Sequence, residues 1–215
     1  MITIDKNTSL YCSFAKEAGS KGCAFHNAGF SGHGINAIYK SFSVDSIEDA
    51  ILSVKTLGIK GFAVTMPFKK QVLKYVDEID ASANIGAANT IINTNNILKA
   101  YNTDLWAASD YLKKIDMSYD NFYILGNGGY ALAVKSAADM LDMKYINITR
   151  ETWSDLSKIR NSLVYNCTPV KDLEKIIDKS NRIINCSTET ETGRQLANIQ
   201  ASYQFKLYTG KDYSI

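Results

Sequence analysis

Short apolar runs, each about five residues long, alternate along this chain with longer segments whose apolar residues recur every three or four positions. The runs predict strands over residues 10–14, 37–42, 62–65, 90–93, 97–101, 121–125, 144–149 and 163–166. Between residues 43 and 58, Ile47, Ile51 and Val54 share one face, Ser46 is placed to cap, and Gly58 closes a helix. Helices are also predicted over 105–114, after the glycine-rich loop at 126–131, near 154–160, and over 194–207. Residues 15–36 form a glycine-interrupted stretch. Pro67 fits the first turn of a helix carrying Lys69, and Thr94, Asn95 and Asn96 are the turn of a hairpin. Such alternation implies α/β layers with mostly parallel sheets. The pattern changes near Asn102, after which the segments read as a βαβ series of the dinucleotide-binding kind.

Composition narrows the classes. With 46% hydrophobic and 21% charged residues, the 215-residue chain can bury cores in one or two domains. A net charge of +2 gives no reason to expect nucleic acid or a membrane surface. No apolar run approaches the ~20 residues of a membrane span, and the N-terminus lacks the layout of a secretory signal. The four cysteines have no metal-like spacing and read as reduced thiols of a cytoplasmic protein. His26 and His33 read as structural, and no metal site is expected.

Gly126, Asn127, Gly128, Gly129, Tyr130 and Ala131 make a G-x-G-x-x-A loop between a predicted strand and a predicted helix. Glycines there permit a tight turn and a close approach to a pyrophosphate, while Ala131 lets helix and strand pack. At the end of the next strand stand Thr149 and Arg150, where an NAD site wants Asp or Glu. A guanidinium suits a 2′-phosphate, and no carboxylate is expected to repel it, so NADP is the expected cofactor. The remaining polar clusters hold Lys69, Asn89 with Thr90, and Asn102 with Thr103 and Asp104. A lysine beside an aspartate suits the proton transfer that accompanies hydride chemistry. Taken singly, Lys69 reads equally as a surface lysine and Asp104 as a helix cap.

VTMPFK, IGAANT and AYNTD, in this order and spacing, together with GNGGYA, VYNCTP and the tail TGRQLANIQASYQFKLYTG, resemble the motifs of shikimate dehydrogenases over nearly the whole chain. That resemblance implies an N-terminal α/β substrate domain, a Rossmann-like NADP domain and a C-terminal helix returning to the first. The implied domains are residues 1–103 with 193–215, and residues 104–192. The implied reaction is NADP-dependent interconversion of shikimate and 3-dehydroshikimate in aromatic amino-acid (chorismate) biosynthesis. Lys69 and Asp104 would be the catalytic pair at the C3 oxygen. Ser20, Thr65, Asn89 and Gln200 would hold the ring's hydroxyl and carboxylate groups, and Thr168 would join the glycine loop, Thr149 and Arg150 on the cofactor. The expected partner is a small molecule, with the chain a monomer or homodimer. Three departures stand out. Gly22 replaces the second serine of the family's Ser-x-Ser-Pro, Lys171 stands where a glycine is expected, and residues 171–192 are compressed. CAFHNAGF, AIYKSF and LKAYNTD are closer to the divergent dehydrogenase-like branch. Quinate or another cyclic hydroxy acid is the alternative substrate, and a non-catalytic metabolite-binding homologue the alternative class.

Overall fold

The computed structural model describes residues 4–116 and 118–214. Two compact units are present: residues up to Thr103 together with those from Ile199 onward, and Asp104–Asn198.

In the first unit, β1 (Ser9–Ala15) leads through α1 (Lys21–Gly32) to β2 (Ala37–Ser43), and α2 (Ile47–Leu57) returns the chain to β3 (Gly61–Val64). Both crossovers make parallel pairs, with Tyr11 opposite Tyr39 on one side and Gly61 on the other. β4 (Glu78–Ile79) is short, and β5 (Thr90–Thr94) and β6 (Ile97–Tyr101) form the expected hairpin. Asn95 and Asn96, at φ of 53° and 67°, supply the left-handed pair that a two-residue hairpin turn requires. The sheet order is β2-β1-β3-β5-β6-β4, with β5 antiparallel to both neighbours. α2 keeps the predicted ends: Ser46 accepts from the Asp49 N–H, and Gly58 closes the helix at φ 64°.

Two expectations give way here. The glycine-interrupted stretch contains α1, because Gly29 within it serves packing rather than turning. A Cβ on Gly29 would lie 2.5 Å from Phe205 Cε2, and one on Gly61 would lie 2.8 Å from Tyr208 Cδ1. These bare positions let Phe205 and Tyr208 join Phe25, Phe30 and Tyr39 in one core layer. The helix expected to open at Pro67 is absent. Residues 66–70 make turns, with the Phe68 N–H donating to Thr65 O (2.8 Å), and one 3-10 turn follows at Gln71–Tyr75. Lys69 O accepts from the Ala88 N–H (2.8 Å), so this carbonyl is engaged across the unit. The turns wind far enough to bury Phe68 and Val72 among Phe14, Phe62 and Ile91.

α3 (Thr103–Leu112) enters the second unit, which continues with β7 (Asn121–Leu125), α4 (Gly129–Met140), β8 (Ile146–Ile148), β9 (Ser162–Asn166) and β10 (Arg182–Asn185). Its four strands are all parallel in the order β10-β9-β7-β8, which places the topological switch between β7 and β9. The helix expected near 154–160 is a 3-10 turn, Trp153–Lys158. The compressed stretch hides β10, whose four residues carry too little pattern to be read alone; pairing with β9 is what makes them a strand. α5 (Glu191–Thr209) begins in this unit and finishes in the first.

Candidate active site

The hairpin builds the polar centre of the first unit. Thr90 pairs with Tyr101, which brings the residue before β5, Asn89, beside the residue two after β6, Thr103. Asn89 Oδ1 accepts from the Thr103 N–H (2.8 Å) and the Thr90 hydroxyl (3.0 Å). Its Nδ2 donates to Thr103 Oγ1 (2.9 Å) and to Gln200 Oε1 (3.3 Å), 111 residues away on α5. One helical turn further along, Gln204 Nε2 donates to Thr90 Oγ1 (2.9 Å) and to Asn89 O (3.4 Å), while its Oε1 lies 3.3 Å from His26 Nε2. Thr90, Thr103 and His26 are fully buried and Gln200 is half-buried. Buried amides held from several sides are rigid, because each lost partner leaves a desolvated polar group.

Around this centre stand the other expected residues of the unit. Lys69 is half-buried, and its carbonyl is bonded one residue from Asn89, whereas Lys70 is exposed. Thr65 is exposed just beyond β3, its N–H held by Phe14 O (3.0 Å). Ser20 is exposed at the start of α1. At Gly22 a Cβ would sit 3.4 Å from Tyr39 Cε1. Burial pushes the Tyr39 hydroxyl well above its ordinary range, with a hydrogen bond to Ser13 opposing. Asp104 belongs to the second unit. It lies buried in the first turn of α3, where the helix dipole favours a carboxylate, and follows Thr103 directly.

The glycine loop caps the switch point of the second sheet. Gly126 adopts φ +107°, and a Cβ there would press on Thr168 Cγ2 at 3.1 Å, so the loop lies directly against the end of β9. Gly128 is the N-cap of α4 and contributes no side chain; Gly129 is the first helical residue, and Ala131 is fully buried. The Tyr130 hydroxyl lies 3.0 Å from that of Tyr165, and burial raises both, with nearby thiols and Asp104 adding to the effect. The loop is clamped from behind. Asn147 Nδ2 donates to Gly126 O (3.0 Å) and Ile124 O (2.8 Å), while Lys135 Nζ donates to Asn147 Oδ1 (2.7 Å) and Asn127 Oδ1 (3.2 Å). The open space over Gly128, at the N-terminus of α4 and near the Lys135 ammonium, fits a pyrophosphate.

Past β8 one expectation is corrected. Thr149 and Arg150 do not stand free of carboxylates, because the Thr149 hydroxyl donates to Glu151. That bond, helped by Arg150, holds the Glu151 carboxyl below its usual range. Sequence reasoning also passed over Gln204, Lys135 and Asn147, and read His26 as structural. A second glutamine four residues after Gln200 was the one visible signal, since that spacing shares a helix face.

Residues 17–91 match the model of the shikimate dehydrogenase substrate binding domain. A shikimate dehydrogenase-like protein of Haemophilus influenzae is 42% identical over 136 residues, covering 62% of this chain and 50% of that protein. A shikimate dehydrogenase (NADP(+)) of Pyrococcus abyssi is 38% identical over 154 residues, covering 70% of this chain and 52% of that one. A solved shikimate 5-dehydrogenase-like structure superposes with a TM-score of 0.81 at 29% identity, covering 99% of this chain and 95% of its own. Residues 17–91 thus match the shikimate dehydrogenase family's substrate-binding domain, and the fold along the whole chain is that of a solved shikimate 5-dehydrogenase-like protein. It spans about half the length of the curated relatives it matches. The matched substrate-binding segment contains Ser20, Thr65, Lys69 and Asn89; the glycine loop and Gln200 lie beyond it. The α/β architecture, with a substrate-type domain, a Rossmann-like domain and a last helix returning to the first, is the one shared with the solved relative.

Proposed function

We propose that the chain is an NADP-dependent dehydrogenase interconverting shikimate and 3-dehydroshikimate. The observation that carries this reading is the buried Asn89–Thr103–Gln200 cluster, with Lys69 tethered by its backbone one residue away. The names of the relatives support both the substrate and the cofactor. In this reading the first unit holds the ring, and the second, from Asp104, holds the dinucleotide.

Ser20, Thr65, Asn89 and Gln200 offer hydroxyl and amide groups to the ring's hydroxyls and carboxylate. Lys69 gives a proton to the C3 oxygen when the ketone is reduced and takes it back in the reverse direction, and Asp104 serves the same proton transfer. The glycine loop and the first turn of α4 hold the pyrophosphate, Thr168 packs beneath them, and Arg150 meets the 2′-phosphate. NADPH, when bound, supplies the hydride. No helix among the described residues is long and apolar enough to cross a membrane. Gly22, which offers no hydroxyl, favours a second reading in which the ligand is a cyclic hydroxy acid differing from shikimate at its carboxylate end.

Steady-state NADP+ reduction with shikimate and with quinate, set beside calorimetric binding of each, tests both readings. Turnover with shikimate supports the first, and turnover with quinate alone supports the second. Binding without turnover identifies a metabolite-binding homologue and refutes both.

A further inference from the structure

β9 and β10 end on the same three-residue pattern, Asn166-Cys167-Thr168 and Asn185-Cys186-Ser187. Asn166 pairs with Asn185 in the parallel ladder. One residue further, the Cys186 N–H donates to Asn166 O (3.1 Å) and the Cys167 N–H to Leu125 O (3.1 Å), so both ladders continue through the cysteines. Both strands then turn alike. Asn166 Oδ1 accepts from the Thr168 N–H (2.9 Å), and Asn185 Oδ1 accepts from the Ser187 N–H (3.0 Å). Each thiol sits at the centre of the same turn, side by side in register and on one face of the sheet.

That face is the one under α4. Tyr165, two residues before Cys167, meets Tyr130 of α4 through their hydroxyls, where burial raises both tyrosines and the two thiols add to the effect. Cys186 Sγ leans across to β9, 4.0 Å from Thr168 O, and both cysteines are half-buried thiols. Neighbouring strands lie ~4.8 Å apart, inside the ~4.4–6.8 Å between Cα atoms that a disulfide spans. Paired Cβ atoms at that spacing stand wider than the ~3.8 Å of a relaxed bridge. A bond there draws the strand ends together and is readily reduced.

We infer that Cys167 and Cys186 form a reversible dithiol–disulfide site that governs the nucleotide loop. The oxidant is a low-molecular-weight disulfide. One cysteine thiolate attacks a sulfur of the reagent, breaking its S–S bond and releasing one thiolate. The second cysteine thiolate attacks the protein sulfur of the mixed disulfide and expels the other. The protein loses two hydrogens, whose protons end on the two released thiols, and the reagent is reduced. Cys167 is bonded to Leu125, the residue before Gly126, and a Cβ on Gly126 would lie 3.1 Å from Thr168 Cγ2 and 3.5 Å from Cys167 O. Drawing Cys167 toward β10 moves this seat of the loop, so the oxidised chain binds the dinucleotide more weakly. The pairing rests on strand register alone, while its effect on the cofactor rests on the proposed NADP site.

The intact chain is equilibrated with oxidised or reduced glutathione, alkylated, and mapped by mass spectrometry. Oxidised glutathione should yield a peptide crosslinked between Cys167 and Cys186, reversed by dithiothreitol. NADPH affinity by fluorescence titration should fall with it roughly tenfold, the loss of about one phosphate contact, and recover on reduction. Cys167→Ser combined with Cys186→Ser should bind NADPH as the reduced wild type does in both buffers, and Cys23→Ala should respond as the wild type does. Should the double variant fail to fold, phenylarsine oxide, whose arsenic needs two thiols within reach of each other, should protect both cysteines of the unmodified protein from alkylation. Glutathione held on either cysteine without a crosslink, no protection by the arsenical, or a crosslink that leaves NADPH affinity unchanged overturns the inference. A reduced chain that binds no NADPH refutes the proposed cofactor instead, and the crosslink then decides the site by itself.

Discussion

Replacing Gly22 with serine restores the hydroxyl that the family pattern places two residues after Ser20, and the structure sets the size of the effect. Gly22 is the second residue of α1. A Cβ built there meets Tyr39 Cε1 at 3.4 Å, Oη at 3.6 Å and Cζ at 3.8 Å, which are ordinary contacts, so the side chain fits without displacing the ring. Helix propensity alone should make Gly22→Ser slightly more stable, by a few tenths of a kcal/mol. The new hydroxyl has two calls on it. One rotamer lets it bond the Tyr39 hydroxyl, and another turns it to the ligand. A hydrogen bond to a carboxylate contributes ~1.5–3 kcal/mol, and giving up a neutral one costs ~0.5–1.5. The net gain is roughly 0–2.5 kcal/mol, or up to about sixtyfold in shikimate affinity. Calorimetry of shikimate and NADP+ with both proteins measures it, since cofactor affinity should stay level. If Gly22→Ser weakens shikimate binding while its unfolding midpoint holds or rises, the pocket is shaped around the glycine. The carboxylate assignment then fails.

Lys69→Ala should lower kcat by ~10²–10⁴ with NADPH binding nearly unchanged, and Lys70→Ala should do little; equal losses from the two lysines would remove Lys69 from the reaction. Arg150→Ala should erase most of the preference for NADPH over NADH, while Glu151→Gln should strengthen NADPH binding by removing a carboxylate beside the phosphate site. Fluorescence titration decides, and tighter binding of NADH by the unmodified protein would refute the assignment. An imidazole lowered to about 4 from 6.5 binds fewer protons folded than unfolded across that interval, so stability should rise with pH from 4 to 6.5 and be lost on acidification. The contribution is roughly 3 kcal/mol at most, read from denaturant midpoints, and His26→Gln should flatten the dependence.

Where local chemistry determines local structure, the chain was readable. Ser46 and Gly58 bound α2 because each answers a need of the helix end itself, and Asn95 with Asn96 announces a hairpin through the positive φ both tolerate. α1 was not readable, since its Gly29 answers to Phe205 and Tyr213, far along the sequence. Pro67 misled for a similar reason, as the bond from Ala88 that engages Lys69 O comes from outside the segment. Of the candidate site, the glycine loop was legible from its own spacing between strand and helix, while the roles of Asn89 and Gln200 came from resemblance to family motifs. Gln204, Lys135 and Asn147 were not, because nothing in sequence order announces an amide that bonds across strands or to another helix.

The first unit is closed by residues that leave the ribosome after the whole of the second. Until α5 arrives, the layer formed by Phe25, Phe30 and Tyr39 lacks Phe205 and Tyr208, and Asn89 and Thr90 lack the amides of Gln200 and Gln204. Synthesis from the N-terminus therefore produces a sheet with one apolar face covered only by α1 and a polar centre half-made, while the intervening unit has its own contiguous core of Leu125, Val164 and Leu173. Packing and polar centre alike therefore wait on one helix made far along the chain, and a truncation before Ile199 should leave the first unit with an exposed aromatic layer.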